Sequence, residues 1–347
     1  MNHRNVKALL GTDLAIIQAP MAGVQDSKLA IAVAKAGGLG SIACGMLNAA
    51  QITSEIQAFK AASSAPLNLN FFCHQMPKWD DRAQQVWHKQ LLPYFQELEI
   101  TAELAPVGAS RLPFNHEIAD AIEPFKPEFI SFHFGLPAKD LLDRVRSWGT
   151  KLVSSATTVA EAIWLSERGV DGIIAQGLEA GGHRGMFLSS DLNTQLGLAA
   201  LVPQIVDRVS VPVIAAGGIG DARGVQAAFA LGASAVQVGS AYLLCDEANT
   251  SRLHREAILG ATPEETALTN LFSGRPARGL RNRAMNELGC LSELAPTFPY
   301  ATSLMAQLRR EAEARGKADF TPLWCGQNLG ACRPISAQAL TLALMKP

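Results

Sequence analysis

The chain has 347 residues, of which 48% are hydrophobic and 18% charged, and its formal net charge is −1. This excludes intrinsic disorder, which needs low hydrophobicity and high net charge. It also gives no basic field for nucleic acid, where binding rests on neutralising many phosphates.

In chain order, Met1–Lys7 lacks the apolar core of a secretory signal. Short apolar runs without clean alternation then read as buried parallel strands. They begin with Ala15–Ala22 and continue with Leu39–Cys44, after a helix from Asp26 to the Gly37-Gly38 stop. Pro66–Phe72 is the third strand. A detour from about 75 to 127 follows, with an amphipathic helix over Arg82–Leu98. Phe129–Gly135 and Lys151–Ala156 are the fourth and fifth strands, the latter leading into a helix from Thr158 to Arg168. Asp171–Gln176 precedes a glycine-rich loop and a helix starting at Leu192. Pro212–Gly218 precedes a helix over Asp221–Leu231, and Ala235–Ser240 is the eighth strand. Further helices are expected over Ser251–Leu259 and Thr302–Arg315. Two uncharged stretches, 36–54 and 224–245, are long enough to span a bilayer. Glycine and polar residues interrupt both, so they read as helix–strand pairs and no membrane span is expected.

Eight strands, most followed by a helix, demand a parallel sheet with right-handed crossovers. Over about 250 residues they favour a closed (β/α)8 TIM barrel above an open doubly wound sheet. The expected organisation is a barrel from 1–74 and 128–245, covered by a mainly helical cap from 75–127 and 246–347. The cysteines (Cys44, Cys73, Cys245, Cys290, Cys325 and Cys332) form no CxxC pair. They indicate no metal site and read as reduced, mostly buried thiols of a cytoplasmic protein.

Glycine marks where chemistry sits. Between Gly169 and Gly239, 71 residues hold 13 of the 29 glycines, about twice an even share. Gly177, Gly181, Gly182 and Gly185 follow strand six; Gly217, Gly218 and Gly220 follow strand seven; Gly239 ends strand eight. Barrels that bind phosphate commonly use the loops after the last two strands, where glycine lets backbone N–H groups approach the ligand. His183 lies between glycines on the strand-six loop, with no apolar face to join. It is a candidate proton carrier or donor to an anion. The neighbouring Arg184 reads as a surface residue or an anion contact.

Gln18-Ala-Pro-Met-Ala-Gly-Val, Asn68-Leu-Asn-Phe-Phe, Ser131-Phe-His-Phe-Gly, Glu179-Ala-Gly-Gly-His-Arg-Gly, Ala215-Ala-Gly-Gly-Ile and Gln237-Val-Gly-Ser-Ala occur in this order. Together they resemble nitronate monooxygenase, and Phe298-Pro-Tyr is compatible with the class acting on propionate 3-nitronate. The resemblance implies an FMN enzyme that oxidises alkyl nitronates with O2 to a carbonyl compound and nitrite. It implies that Pro20, Met21 and Ala22 border the flavin ring and that Asn70, Gln176, Gly181 and Gly182 contact it. Gly217, Gly218, Gln237, Val238, Gly239 and Ser240 would hold the phosphate and ribityl arm, and His183 is the implied active-site histidine. The expected partners are a small-molecule nitronate and O2, with the chain as monomer or homodimer.

His133 ends strand four and His74 lies just past strand three, so both are substrate-pocket candidates, as is Tyr300 from the cap. Cys73 sits beside the expected mouth. The competing reading is an FMN-dependent NAD(P)H reductase of the enoyl-[acyl carrier protein] or quinone type. A non-catalytic flavin- or phosphate-binding barrel is a third.

Overall fold

The computed structural model describes residues 8–105 and 111–346. The leader reading of residues 1–7, and residues 106–110 of the detour, lie outside the described residues.

Eight parallel strands form the central sheet: β1 (Ile16–Gln18), β2 (Gly40–Ala43), β3 (Leu67–Phe72), β4 (Phe129–His133), β5 (Lys151–Ala156), β6 (Gly172–Gln176), β8 (Val213–Ala216) and β9 (Ala235–Val238). Their order is β1-β9-β8-β6-β5-β4-β3-β2. A parallel bridge between Ile17 and Leu39 brings the ends together. There Gln18 N donates to Leu39 O and Leu39 N to Ile16 O, both at 2.9 Å. The sheet is a TIM barrel, with all eight strands where the apolar runs place them.

Inside the barrel, Ile17, Leu39, Phe129, Val153, Ile174 and Ile214 pack with Leu9 and Leu10. The outward side chains meet the surrounding helices in two larger apolar clusters. This two-sided burial explains the unbroken apolar runs. A separate cluster in the cap joins Trp87, Leu91 and Phe95 to Phe272, Leu304, Leu308 and Phe320.

The structure departs from the sequence reading in three places. Helix Ala337–Leu344 packs into the barrel's own apolar cluster and not the cap, burying Ala337, Leu340 and Leu344. Thr341 Oγ1 lies 2.8 Å from the Tyr242 hydroxyl there. The helix expected from Leu192 is only a 3₁₀ turn, Leu192–Thr194, and the α-helix starts later, at Leu198–Val206. Gln195 is the reason: its side chain is drawn inward, accepting from Arg184 Nε and donating to Thr157 Oγ1, each at 3.0 Å. Finally, a second sheet of order β10-β11-β7 joins Thr266–Thr269 and Ala277–Leu280 to Gly182–His183. The His183 loop is thereby an antiparallel strand bound to the cap segment, with His183 paired to Ala277. No helix among the described residues is long and apolar enough to cross a membrane.

Candidate active site

A cavity of about 280 Å³ opens at the carboxyl ends of the barrel strands, under the cap. Its position is the one where barrels of this kind carry their sites. Of the residues singled out in the sequence, the cavity brings together Pro20, Met21, Ala22, Asn70, His133, Gln176, Gly181, Gly182, His183, Gly217, Gly218, Gln237, Gly239 and Ser240.

The Pro20–Ala22 loop is held by a glutamine pair. Gln18 Oε1 accepts from Ser41 N at 3.0 Å, and Gln25 Oε1 accepts from Gln18 Nε2 at 2.8 Å and from Met21 N at 2.7 Å. The loop after β1 is thus tied to β2 without using its own side chains, which remain for the cavity.

The loops after β8 and β9 offer main chain. Gly217 and Gly218 have φ of +123° and +69°, a turn that few L side chains adopt. The N–H groups of Gly218, Gly239 and Ser240 donate to no acceptor among the described residues. Gln237 Oε1 is buried with no hydrogen-bond partner among them. Unsatisfied donors and a buried orphan acceptor on one wall are what a phosphate and its polar arm would satisfy.

His183 occupies a different setting. Its ring lies within 5.4–6.3 Å of Phe298, Trp324, Phe134 and Phe72, and its Nε2 is 2.9 Å from Ser273 Oγ. Burial first, then the Arg111 charge, hold it well below the usual histidine range, so it is neutral. Its carbonyl accepts from Gln176 Nε2 at 3.0 Å, while Gln176 Oε1 accepts from Gly185 N at 2.7 Å. His133 spans Ser155 Oγ at 3.0 Å and the His183 carbonyl at 3.1 Å. It therefore both lines the cavity and fixes the loop, and burial lowers it to about 4.

Arg184 is neither a surface residue nor an anion contact. It is fully buried, and its guanidinium donates to Gly177 O at 2.7 Å, Gln176 O at 2.9 Å and Gln195. It splints the end of β6 to the His183 loop, and breaking so buried a cation's contacts typically costs about 3–5 kcal/mol. Glu179 is likewise structural: both carboxylate oxygens accept from Leu198 N at 2.9 Å, capping the following helix.

Three sequence candidates lie elsewhere. The Tyr300 hydroxyl donates to Pro77 O at 3.0 Å and its ring meets Trp79, away from the cavity. The Val238 side chain is buried in the barrel–helix core, and its carbonyl already accepts from Ala19 N at 2.7 Å. His74 packs 4.8 Å from Phe298, behind the cavity wall. Burial raises the Cys73 thiol well above its ordinary range, so it is held protonated.

The sequence reading missed the segment 321–328. Thr321, Trp324, Cys325, Gly326 and Asn328 line the cavity, and Asn328 Nδ2 donates to Gly218 O at 2.9 Å. The segment crosses the strand-six loop backbone to backbone. A Cβ on Gly181 would sit 2.4 Å from the Cys325 carbonyl carbon, and one on Gly326 would sit 2.6 Å from Glu179 O. The glycine in Trp324-Cys-Gly-Gln was the available signal. Arg111 and Ser273 carried none, because each reaches the site from a distant part of the chain, while Phe298 was named only within Phe298-Pro-Tyr and packs against the His183 ring.

Comparison with known proteins agrees with this geometry. The family described as nitronate monooxygenase matches residues 3–346. A nitronate monooxygenase from Paraburkholderia phytofirmans is 39% identical over 345 residues, covering 98% of this chain and 94% of that one. One from Pseudomonas aeruginosa is 39% identical over 341 residues, covering 97% of each. Among solved structures, nitroalkane oxidase from Streptomyces ansochromogenes has a TM-score of 0.89 at 35% identity, covering 98% of this chain and 96% of that one. A FabK variant from Thermotoga maritima has a TM-score of 0.70 at 25% identity, covering 98% and 94%. With the family matched along nearly the whole chain, this protein belongs to the nitronate monooxygenases.

Proposed function

We propose that the chain is an FMN-dependent nitronate monooxygenase whose substrate is an alkyl nitronate bearing a carboxylate, such as propionate 3-nitronate. The products are a carbonyl compound and nitrite, with O2 as oxidant. The observation that carries this reading is the charge of the cavity: no aspartate or glutamate stands among its described lining residues, whereas arginine and neutral histidine do. Such a site favours anions.

The residues fit FMN. Gly217, Gly218, Gly239 and Ser240 would receive its phosphate, Gln237 Oε1 its polar arm, and Asn70 and Gln176 the edge of its ring, with Pro20–Ala22 beside the ring. When bound, FMN supplies the electron transfer between substrate and O2.

The protein's own part centres on His183. A nitronate is already anionic, so no proton need be taken from it. An imidazole held far below neutral pH is a poor base but a serviceable donor. The tautomer with its proton on Nδ1 accepts the Ser273 hydroxyl at Nε2 and presents an N–H to the anion. The aromatic ring cluster around it excludes water and strengthens that hydrogen bond.

The test is to purify the protein, record its visible spectrum, and measure nitrite release from propionate 3-nitronate and from propyl-1-nitronate. A flavin spectrum with nitrite from both is expected, and anaerobic NADH should leave the flavin oxidised. Rapid bleaching by NADH without nitrite from either substrate would establish a reductase instead.

A further inference from the structure

Among the described residues, two charged side chains line the cavity, Arg111 and Arg309. Arg309 is committed: its Nε donates to Glu313 Oε1 at 2.7 Å, and that oxygen also accepts the Thr321 hydroxyl at 2.8 Å. Arg111 is not. Its guanidinium meets the Thr302 hydroxyl and has no carboxylate partner among the described residues. Burial and the Arg309 charge push it down to about 10, the mark of a desolvated cation without compensation. A short chain of contacts links Arg111 to His183: the Thr302 hydroxyl donates to Phe272 O at 3.0 Å, the Phe272 ring lies 5.6 Å from Trp324, and Trp324 lies 5.6 Å from the His183 ring. A third arginine, Arg275, lies 3.9 Å over the Phe134 ring and donates to Met186 O; it does not line the cavity.

We propose that Arg111 binds a carboxylate on the substrate, while His183 binds the nitronate at the other end of the same molecule. The assignment rests on the nitronate reading above. It makes Arg111 a specificity residue that separates carboxylated nitronates from simple alkyl ones. A guanidinium offers a planar fork that matches a carboxylate, and in a water-poor cavity one such contact is strong.

The experiment compares kcat/KM for propionate 3-nitronate and propyl-1-nitronate in wild type, Arg111→Met and Arg111→Lys, with FMN content as the check on folding. Loss of a desolvated charge contact should lower the ratio of the two kcat/KM values about 100-fold in Arg111→Met. Arg111→Lys should recover part of it, since lysine keeps the charge but not the fork. A ratio unchanged within about threefold in Arg111→Met overturns the assignment. If that variant does not retain FMN, wild type decides. Succinate should then compete with propionate 3-nitronate at least about 10-fold more tightly than propionate does, and equal inhibition overturns the proposal. Wild type that releases nitrite from neither nitronate overturns the parent reading, and this failure is distinct because the uncarboxylated substrate fails too.

Discussion

Across the barrel from one another, the cavity has two walls built by different means. The wall from β8, β9 and their loops presents main chain: Gly217, Gly218, Gly239 and Ser240, the last three with N–H groups that find no acceptor among the described residues. The wall from β3, β4 and β7 presents rings. Phe72 and His133 come from the barrel, His183 from the strand-six loop and Trp324 from a segment far along the chain, with Phe298 packed against the His183 ring behind them. The first wall suits a group recognised by charge and shape close to backbone. The second suits a small anion that must be kept dry beside a donor. On the reading proposed above, holding a cofactor and selecting a substrate would draw on separate parts of one fold.

The largest expected effect breaks the first wall alone. Gly218→Asp places a side chain at φ +69°, with its Cβ 3.3 Å from Glu179 Cβ. It also adds a negative charge where the phosphate would lie. Purified variant should contain little or no FMN while its far-ultraviolet circular dichroism stays that of the wild type. Normal FMN content would place the phosphate elsewhere.

His183→Asn breaks the second wall at its donor. FMN should remain, because the main-chain wall is untouched. Nitrite turnover should fall about 100-fold in kcat/KM, the usual scale for removing one donor to an anionic reacting group. Retained turnover would deny His183 the role argued here.

The contrast between walls also explains what could be read in advance. Glycine spacing betrays main-chain recognition, since it is local: Gly217 and Gly218 end one strand and Gly239 the next. The eight strands were legible for the same reason, each being a continuous buried run. The aromatic wall was not, because Trp324, and the Phe134 and Phe298 rings packed on His183 behind it, follow no periodicity that distinguishes a ring at the site from a core ring. Arg184 was misread because a charged residue beside glycines looks solvated, and only the fold shows its guanidinium enclosed by carbonyls. Tyr300 was misread because proximity to the cap does not fix direction.

Acid should act through the buried imidazoles and leave the glycine wall unaffected. His74, His133 and His254 are each lowered from 6.5 to about 4, in each case chiefly by burial, and burial also holds His183 well below its ordinary range. Between those pH values the unfolded chain binds protons that the folded chain refuses. Their stabilising contribution is complete above about pH 6.5 and is lost as pH falls toward 4, by up to about 1.4 kcal/mol per pH unit for each histidine. The melting temperature should therefore fall steadily from pH 7 to pH 5, before most carboxylates titrate. His133→Gln should flatten the slope. A melting temperature constant over that range would contradict the neutral, buried state of these rings.

The smallest effect concerns Tyr300, whose place outside the cavity is itself a statement about the second wall. Its hydroxyl donates to Pro77 O, and its main-chain oxygen accepts from Gln84 Nε2 at 3.2 Å. The residue thus ties the segment after β3 to the start of helix Thr302–Ala314. Tyr300→Phe keeps the ring against Trp79 and removes one hydrogen bond, so stability should drop by about 0.5–1.5 kcal/mol. Because the hydroxyl meets cap backbone and not the cavity, kcat/KM for either nitronate should stay within about twofold of wild type. A tenfold loss with FMN retained would mean that the cap turns this ring inward when substrate binds, and the aromatic wall would then include it.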